Sequence, residues 1–239
     1  MSEASGRPDG ATPGAVPLWE LAPLGDSGLI ITWRGAREVA GAAIRELTSM
    51  IATQRPAGLV ELVPGIETLL VCYDPLRVEP DELQREIERD LPRTLRPEPP
   101  KGATVELRVS YGGADGPDLP YVAQACSLSE ADVIALHTSQ PMPVLMIGFL
   151  PGFPYIGQLP PALHLPRRAE PRTAVAAGSV AIANDQTGIY PDQSPGGWHV
   201  IGRTDLRLFD PLRDPPALLR AGDYVRFVAE PRTRSRADD

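Results

Sequence analysis

The sequence has 239 residues, enough for one large domain or two small ones, and 42% of them are hydrophobic, as expected for a protein that buries a core. Its formal net charge of -8 gives no electrostatic support for binding nucleic acid. Lys101 is the only lysine, so the chain has no lysine placed for a P-loop, a Schiff base or kinase-type phosphate binding. The 28 prolines argue against a helical bundle.

Cysteine usage and the composition of the termini bear on location. Cys72 and Cys126 lack a C-x-x-C spacing and lie in apolar stretches, which favours a reduced, cytoplasmic protein. Residues 1–16 and 231–239 are polar segments that we expect to form disordered tails. The N-terminus shows no secretory-signal pattern, and no apolar run approaches the ~20 residues that span a bilayer.

The first block, residues 17–97, alternates strand and helix patterns in the order βαββα and is predicted to be an α/β domain. Its predicted elements are a strand at 28–33, a helix at 37–53, a hairpin of strands at 58–63 and 67–73, and a helix at 81–91. A further strand at 104–109 would complete a ferredoxin-like unit, or could instead open the second block. The predicted class is therefore α+β, with a ferredoxin-like domain at the N-terminal end.

Proline-rich residues 98–102 are the predicted linker to a second block, residues 103–230. One helix is expected over residues 129–138, with Ser129 as its N-cap. The remaining pattern is of short strands broken by Gly and Pro, which is typical of a small closed β-barrel. The predicted strands are 144–147, 179–183, 199–202, 206–209 and 224–228.

Residues 148–203 form the most unusual segment, in which Gly and Pro alternate with aromatic, amide and guanidinium side chains. Because Gly reaches backbone conformations closed to other residues and Pro fixes them, we interpret the segment as a preformed pocket. Phe149 and Phe153 could line that pocket or pack into the barrel.

Arg167, Arg168 and Arg172 lie within six residues of one another. Such a cluster can be a solvated basic patch, or it can bind a carboxylate or phosphate, because guanidinium groups hold oxyanions in a two-pronged fashion. Its occurrence in an acidic protein is an argument for anion binding, and both interpretations stay open.

Gln186, Thr187 and Tyr190 follow an apolar strand and could line a polar site at the mouth of the barrel. The alternative is turn capping by Asn184 and its neighbours. Trp198 follows a Gly-Gly pair and is expected to lie over the pocket or in the core.

The three histidines show no spacing typical of metal ligands, so no metal site is predicted. His137 ends the predicted helix at 129–138, where the helix dipole favours its charged form. A structural cap is the default interpretation. Of the three, His137 is nevertheless our candidate for general acid–base catalysis.

Together these motifs resemble the family of 5-oxoprolinase B subunits. The same family is also known as allophanate hydrolase subunit 1 and as the Kip family of sporulation kinase A inhibitors. The resemblance extends over about residues 18–228. It rests on residues 24–27, 62–64, 69–75, 148–157, 166–172, 177–182, 186–191, 194–198 and 201–204.

The resemblance implies an α/β domain followed by a cyclophilin-like β-barrel. It also implies a hydrolase complex with partner subunits C and A that uses ATP to open 5-oxoproline to glutamate, with this chain inactive alone. The chain itself has no recognisable nucleotide loop. The main alternative is a non-catalytic inhibitor that binds a sensor histidine kinase through an exposed apolar patch. A prolyl isomerase is a third interpretation, which the barrel fold alone does not support.

Within this resemblance, each part of 5-oxoproline has a candidate partner. The carboxylate is assigned to Arg167 or Arg172, the lactam amide to Gln186, Thr187 and Tyr190, the ring to Trp198 and proton transfer to His137.

Overall fold

The computed structural model describes residues 18–91 and 102–230. They belong to two compact units, one with the elements up to residue 91 and one with the elements from residue 104 onward. The predicted tails and all but the last residue of the predicted linker lie outside the described residues. No helix in the described ranges is long and apolar enough to cross a membrane.

The first unit packs two helices against a four-stranded sheet. In chain order its elements are β1 (Trp19–Leu24), β2 (Gly28–Trp33), α1 (Ala40–Gln54), β3 (Leu59–Pro64), β4 (Thr68–Tyr73) and α2 (Pro80–Asp90). Helix α1 buries Ile44, Leu47 and Ile51, the apolar positions that predicted it. Helix α2 begins with a proline and has Asp81 and Glu82 in its first turn, which favours a helix start.

The sheet of the first unit has the strand order β1-β2-β4-β3, so the predicted hairpin of β3 and β4 is present. The ferredoxin-like assignment is not confirmed. Of the two alternatives for residues 104–109, the second holds, because that segment opens the second unit. In the first unit β1, for which no strand was predicted, lies beside β2.

The second unit is a closed seven-stranded barrel with two helices and a separate two-stranded sheet. Its elements are β5 (Thr104–Tyr111), α3 (Leu119–Ala125), α4 (Glu130–His137), β6 (Met142–Ile147), β7 (Pro154–Gly157), β8 (Arg172–Val175), β9 (Ser179–Ala183), β10 (Gln186–Ile189), β11 (Ser194–Gly196), β12 (His199–Arg203) and β13 (Tyr224–Ala229). The barrel order is β10-β7-β6-β13-β5-β12-β9, and β8 pairs with β11 outside it. Among these described strands, β5 and β13 pair in parallel and the other barrel pairs are antiparallel.

Strand alternation sorts the barrel side chains into two apolar clusters. Along β9, Val180 and Ile182 join the larger cluster, which also packs against α3 and α4. Ala181 and Ala183 point the other way and join a smaller aromatic cluster with Trp198. Because successive strand residues face opposite sides, the barrel wall separates an interior from an outer aromatic layer.

Two sequence-based predictions in this unit need correction. Residues 206–209 do not form a strand and contribute only an isolated bridge between Phe209 and Ala217. Residues 186–189, part of the segment expected at a barrel mouth, instead form the barrel strand β10 between β7 and β9, and Tyr190 follows it directly. The predicted helix at 129–138 is confirmed, with Ser129 and Asp132 forming a reciprocal cap at its start.

Gly188 provides a test of the packing between the barrel wall and the outer aromatic layer. A Cβ atom added there would lie 2.7 Å from Phe153 Cζ and 3.0 Å from Trp198 Cζ3. We expect Gly188→Ala to lower the free energy of unfolding by about 1–3 kcal/mol, because two buried rings must move. Gly197→Ala is the matched control, since its added Cβ would come no closer than 3.7 Å to Pro171. Equal losses in denaturant titrations of the two variants would contradict this packing.

Candidate functional site

Asp118 is a buried acidic residue that organises the polar contacts on the outer face of the barrel unit. The residue is 5% exposed, and its carboxylate accepts hydrogen bonds from three parts of the chain. Arg172 donates twice, with Nη1–Oδ2 at 2.6 Å and Nη2–Oδ1 at 2.8 Å. Arg168 Nη1 donates at 2.9 Å and the Val200 backbone N–H at 2.7 Å. The carboxylate thus ties together α3, the segment leading into β8, and β12.

The electrostatics of this cluster favour the ionised carboxylate. Burial raises the pKa of Asp118, but the hydrogen bonds from Arg172 and Val200 and the charges of Arg172 and Arg168 outweigh it, so the pKa lies below its ordinary value. The two arginine side chains are 28% and 29% exposed, so the ion pairs lie at the edge of the protein surface.

This arrangement separates the roles of the predicted arginines. Both Nη atoms of Arg172 are already bonded to Asp118, so this guanidinium is not an open anion clamp. Arg167 is exposed and forms no ion pair or side-chain hydrogen bond with the described residues.

The backbone on both sides of Arg167 is fixed next to Trp198. His199 Nε2 donates to the Pro166 carbonyl at 3.0 Å, and the Arg168 N–H donates to the Gly197 carbonyl at 2.8 Å. Since both bonds reach the chain neighbours of Trp198, Arg167 is held close to the outer aromatic layer.

Five aromatic side chains form that layer, since Phe149 packs edge-on against Phe153 at 5.4 Å and against Tyr190 at 6.4 Å. Phe153 contacts Tyr155, Tyr190 and Trp198 edge-on, with ring centroids 5.0, 5.2 and 5.8 Å apart. Tyr155 also contacts Trp198 at 5.8 Å. Burial raises the pKa of Tyr155 and of Tyr190, while the nearby charge of Arg167 acts in the opposite direction on both phenols.

Thr187 and His137 lie in the barrel interior, away from this layer. Thr187 donates its hydroxyl proton to the Ala181 carbonyl at 3.1 Å, so its oxygen accepts from His137 Nε2 at 2.9 Å. The other ring nitrogen, Nδ1, then accepts from the Tyr111 hydroxyl at 2.6 Å. Both ring nitrogens of the imidazole are satisfied, and the ring is neutral.

Burial lowers the pKa of His137 to about 3. The helix-end position was expected to favour the charged form, and this expectation is wrong, because complete desolvation outweighs a helix dipole. His137 has no exposed surface, which favours a structural role, and its catalytic role stays a prediction.

Gln186 lies on the opposite face of β10 from Thr187, as alternation requires, and Tyr190, just after the end of β10, packs in the outer aromatic layer. The Gln186 amide has no hydrogen-bond partner within the described residues, and the residue is 9% exposed. The structure therefore brings Arg167, Tyr190 and Trp198 together, with Gln186 on the same face of the barrel wall. Arg172 lies beside them, with its guanidinium bonded to Asp118.

Sequence reasoning missed Asp118, Tyr155 and His199. A signal existed for Asp118, because Asp followed by Leu-Pro is typical of a helix N-terminus and α3 begins there. Asp118 occupies the N-cap position, yet its side chain makes no capping bond and instead binds the arginines. His199 stacks against Tyr121 at 5.1 Å, and its Nδ1 atom is buried without a partner in the described ranges.

A separate cavity of about 580 Å³ opens on the outer side of β5 and β12. None of the predicted site residues lines it, so it is not the predicted pocket. Its lining residues are Glu106, Arg108, Ser110, Asp115, Arg203, Thr204, Asp205, Leu206 and Glu230.

Comparisons with known proteins agree on one family. Residues 19–219 match the family model described as the carboxyltransferase domain, subdomain C and D. The chain is 50% identical over 175 residues to the 5-oxoprolinase B subunit of Escherichia coli O157:H7, covering 72% of this chain and 78% of the relative. It is 38% identical over 221 residues to the 5-oxoprolinase B subunit of Bacillus subtilis strain 168, covering 88% and 92%.

The crystal structure of TTHA0988 is also similar, with 38% identity and a TM-score of 0.73. The match covers 85% of this chain but only 40% of the TTHA0988 chain, which is therefore much longer.

Replacing the Asp118 carboxylate tests its central place in this site. Asp118→Asn should lower the free energy of unfolding near neutral pH by about 3 kcal/mol, because two guanidinium groups lose a buried partner. Since the pKa of Asp118 is lowered, its contribution is complete above its ordinary pKa of 3.8 and is lost as the pH falls further. The difference between wild type and variant should therefore shrink below about pH 4. Asp210→Asn, which weakens an exposed pair with Arg207, is the control and should change stability by less than about 1 kcal/mol.

The state of His137 can be measured by NMR. Its ring signals should remain those of a neutral imidazole from about pH 8 to about pH 5, because the folded protein holds the pKa near 3. Since the unfolded chain then binds the extra proton, stability should fall as the pH drops from about 6.5 towards 3. His137→Gln would assign the signals. A titration midpoint near 6.5 would contradict the buried network.

Proposed function

The chain belongs to the family of 5-oxoprolinase B subunits, and from this membership we propose that it is a subunit of an ATP-dependent complex that opens 5-oxoproline to glutamate. The observation that carries the proposal at the site is Arg167, an exposed guanidinium with no ion pair among the described residues, held beside a wall of aromatic rings. A small cyclic amide bearing a carboxylate has the matching chemistry, with one anionic end and one flat apolar body.

In this proposal each part of the substrate meets a different feature of the outer face. Arg167 binds the carboxylate, Trp198 contributes to the apolar wall against the ring, and the free Gln186 amide bonds the lactam group. Arg172 does not touch substrate. It keeps Asp118 in place, and Asp118 in turn holds the segment that carries Arg167.

The chain's own contribution is therefore binding and orientation. Thr187 is committed to the interior network and is not assigned to the lactam. His137 is sealed within the same network. We propose that the groups that act directly on the scissile amide come from a partner, and that hydrolysis of ATP by the assembled complex supplies the driving force.

The proposed partners are subunits C and A of the family. Support for a closely associated partner comes from TTHA0988, in which the part similar to this chain makes up 40% of a longer polypeptide. We also propose a cytoplasmic location, since Cys72 and Cys126 are free thiols. A cyclophilin-like architecture for the barrel unit belongs to this proposal as well.

Turnover by the assembled complex tests the proposal. Co-expressed with subunits A and C, the chain should support 5-oxoproline-dependent release of ADP, and the chain alone should not. Arg167→Gln should reduce kcat/KM at least about tenfold, because it removes a charge-assisted hydrogen bond to the carboxylate. Arg226→Gln is the matched control, since Arg226 is an exposed arginine on β13. Absence of 5-oxoproline-dependent ADP release from the complete complex would refute the function.

A second candidate, inhibition of a sensor histidine kinase, is favoured by Phe149. This residue is 59% exposed and has a φ of 67°, unusual for a bulky residue. Its ring packs edge-on against Phe153 and Tyr190, and its exposed side could contact a protein partner. A chain that blocks kinase autophosphorylation yet fails in the ADP assay would establish this alternative.

A further inference from the structure

Tyr155, which is not among the sequence-predicted site residues, has a hydroxyl group without a partner in the described ranges. It lies on β7, opposite Gly188 of β10, and its ring packs against Phe153 and Trp198. The side chain is half-buried, yet its hydroxyl forms no hydrogen bond with the described residues. Its O–H group is therefore an unused donor at the edge of the aromatic layer.

Tyr190 offers a second unused proton in the same layer. It contacts Phe153 on the other side, at 5.2 Å, and the residue is 2% exposed, with its hydroxyl beside the Trp198 backbone, whose N–H acts to lower the phenol pKa. An N–H donor uses only a lone pair of that oxygen, so the O–H proton remains available, and no described acceptor takes it.

Arg167 supplies the remaining donors. The bonds of Pro166 to His199 and of Arg168 to Gly197 place Arg167 next to Trp198, whose ring both Tyr155 and Phe153 contact. Burial raises the pKa of both phenols, and the positive charge of Arg167 acts to lower it. The backbone of Arg167 and the rings of Tyr155 and Tyr190 thus border the same aromatic layer.

One guanidinium and two phenols together offer more hydrogen-bond donors than acceptors, which gives the site a defined chemical preference. Each donor loses hydration when a ligand covers it, and that loss is offset only if the ligand accepts hydrogen bonds. A carboxylate has two oxygens with about four lone-pair sites, enough for a guanidinium fork and two phenols. The adjoining rings restrict water, which strengthens these bonds.

We infer that Tyr155, Arg167 and Tyr190 form a single carboxylate-binding site, in which the Tyr155 hydroxyl is a specificity-determining donor to the carboxylate of a small cyclic acid. This inference rests on the proposed function for the identity of that acid as 5-oxoproline. It adds a residue and fixes which end of the substrate faces β7.

Tyr155→Phe removes only the hydroxyl and keeps the ring contacts. In the assembled complex it should raise KM for 5-oxoproline about tenfold or more and change kcat by less than about twofold, because the bond is made equally in ground and transition states. Tyr121→Phe is the matched control, since Tyr121 is an exposed tyrosine on α3 that stacks on His199 instead. Melting temperatures of both variants should equal that of the wild type.

A direct binding measurement isolates the carboxylate. The assembled complex without ATP should bind 5-oxoproline but bind 2-pyrrolidinone, the same lactam without the carboxylate, at least about tenfold more weakly. In Tyr155→Phe this preference should shrink.

Two results would overturn the inference: an unchanged KM in Tyr155→Phe, whether or not kcat falls, or equal binding of the two lactams. Either of them can occur in a complex that still opens 5-oxoproline, which leaves the proposed function standing. Conversely, a complex that prefers the carboxylate-bearing lactam but releases no ADP would refute the proposed function and leave the binding site intact.

Discussion

The four hydrogen bonds accepted by Asp118 are the constraint on which the outer face of the barrel unit depends. They join the start of α3 to Arg168, to Arg172 at the start of β8 and to the backbone of β12. A buried carboxylate is stable only when its lone pairs are used in this way. Because both Nη atoms of Arg172 are bonded to Asp118, Arg172 is not available to a ligand. Arg167 is the arginine that remains for ligand binding.

Strand alternation is the second constraint. It places some polar side chains inside the barrel and others on its outer face. Inside the barrel, Tyr111, His137 and Thr187 form a closed network that is fully committed to internal hydrogen bonds. Outside, the phenols of Tyr155 and Tyr190 keep donors that no described residue uses, next to the Arg167 guanidinium. The interior network, in which the His137 imidazole is neutral, stabilises the barrel. The outer face, in contrast, is suited to binding an anion. The same pattern that makes the fold thus determines where a ligand can be recognised.

Much of the fold could be predicted from local sequence patterns. The helical spacing around Ile44 and Leu47 and the cap at Ser129 were sufficient to place α1 and α4, and the apolar run at Ser179–Ala183 placed β9. Strands β7 and β10 were missed because Pro154 and Gly188 weaken the usual strand signal. The site was predicted only in part. Adjacent residues such as Gln186 and Thr187 were grouped together, although a strand sends them to opposite faces. Asp118 was missed because its arginine partners lie 50 and 54 residues away, and no local pattern reports such pairing.

The central claim is that Asp118 saturates Arg172 and thereby leaves Arg167 to bind the ligand carboxylate. A crystal structure of the assembled complex with 5-oxoproline bound tests it most directly. The account predicts the carboxylate of 5-oxoproline on the Arg167 guanidinium, with the two bonds between Asp118 and Arg172 intact. A ligand carboxylate seated on Arg172, with Asp118 displaced, would contradict it.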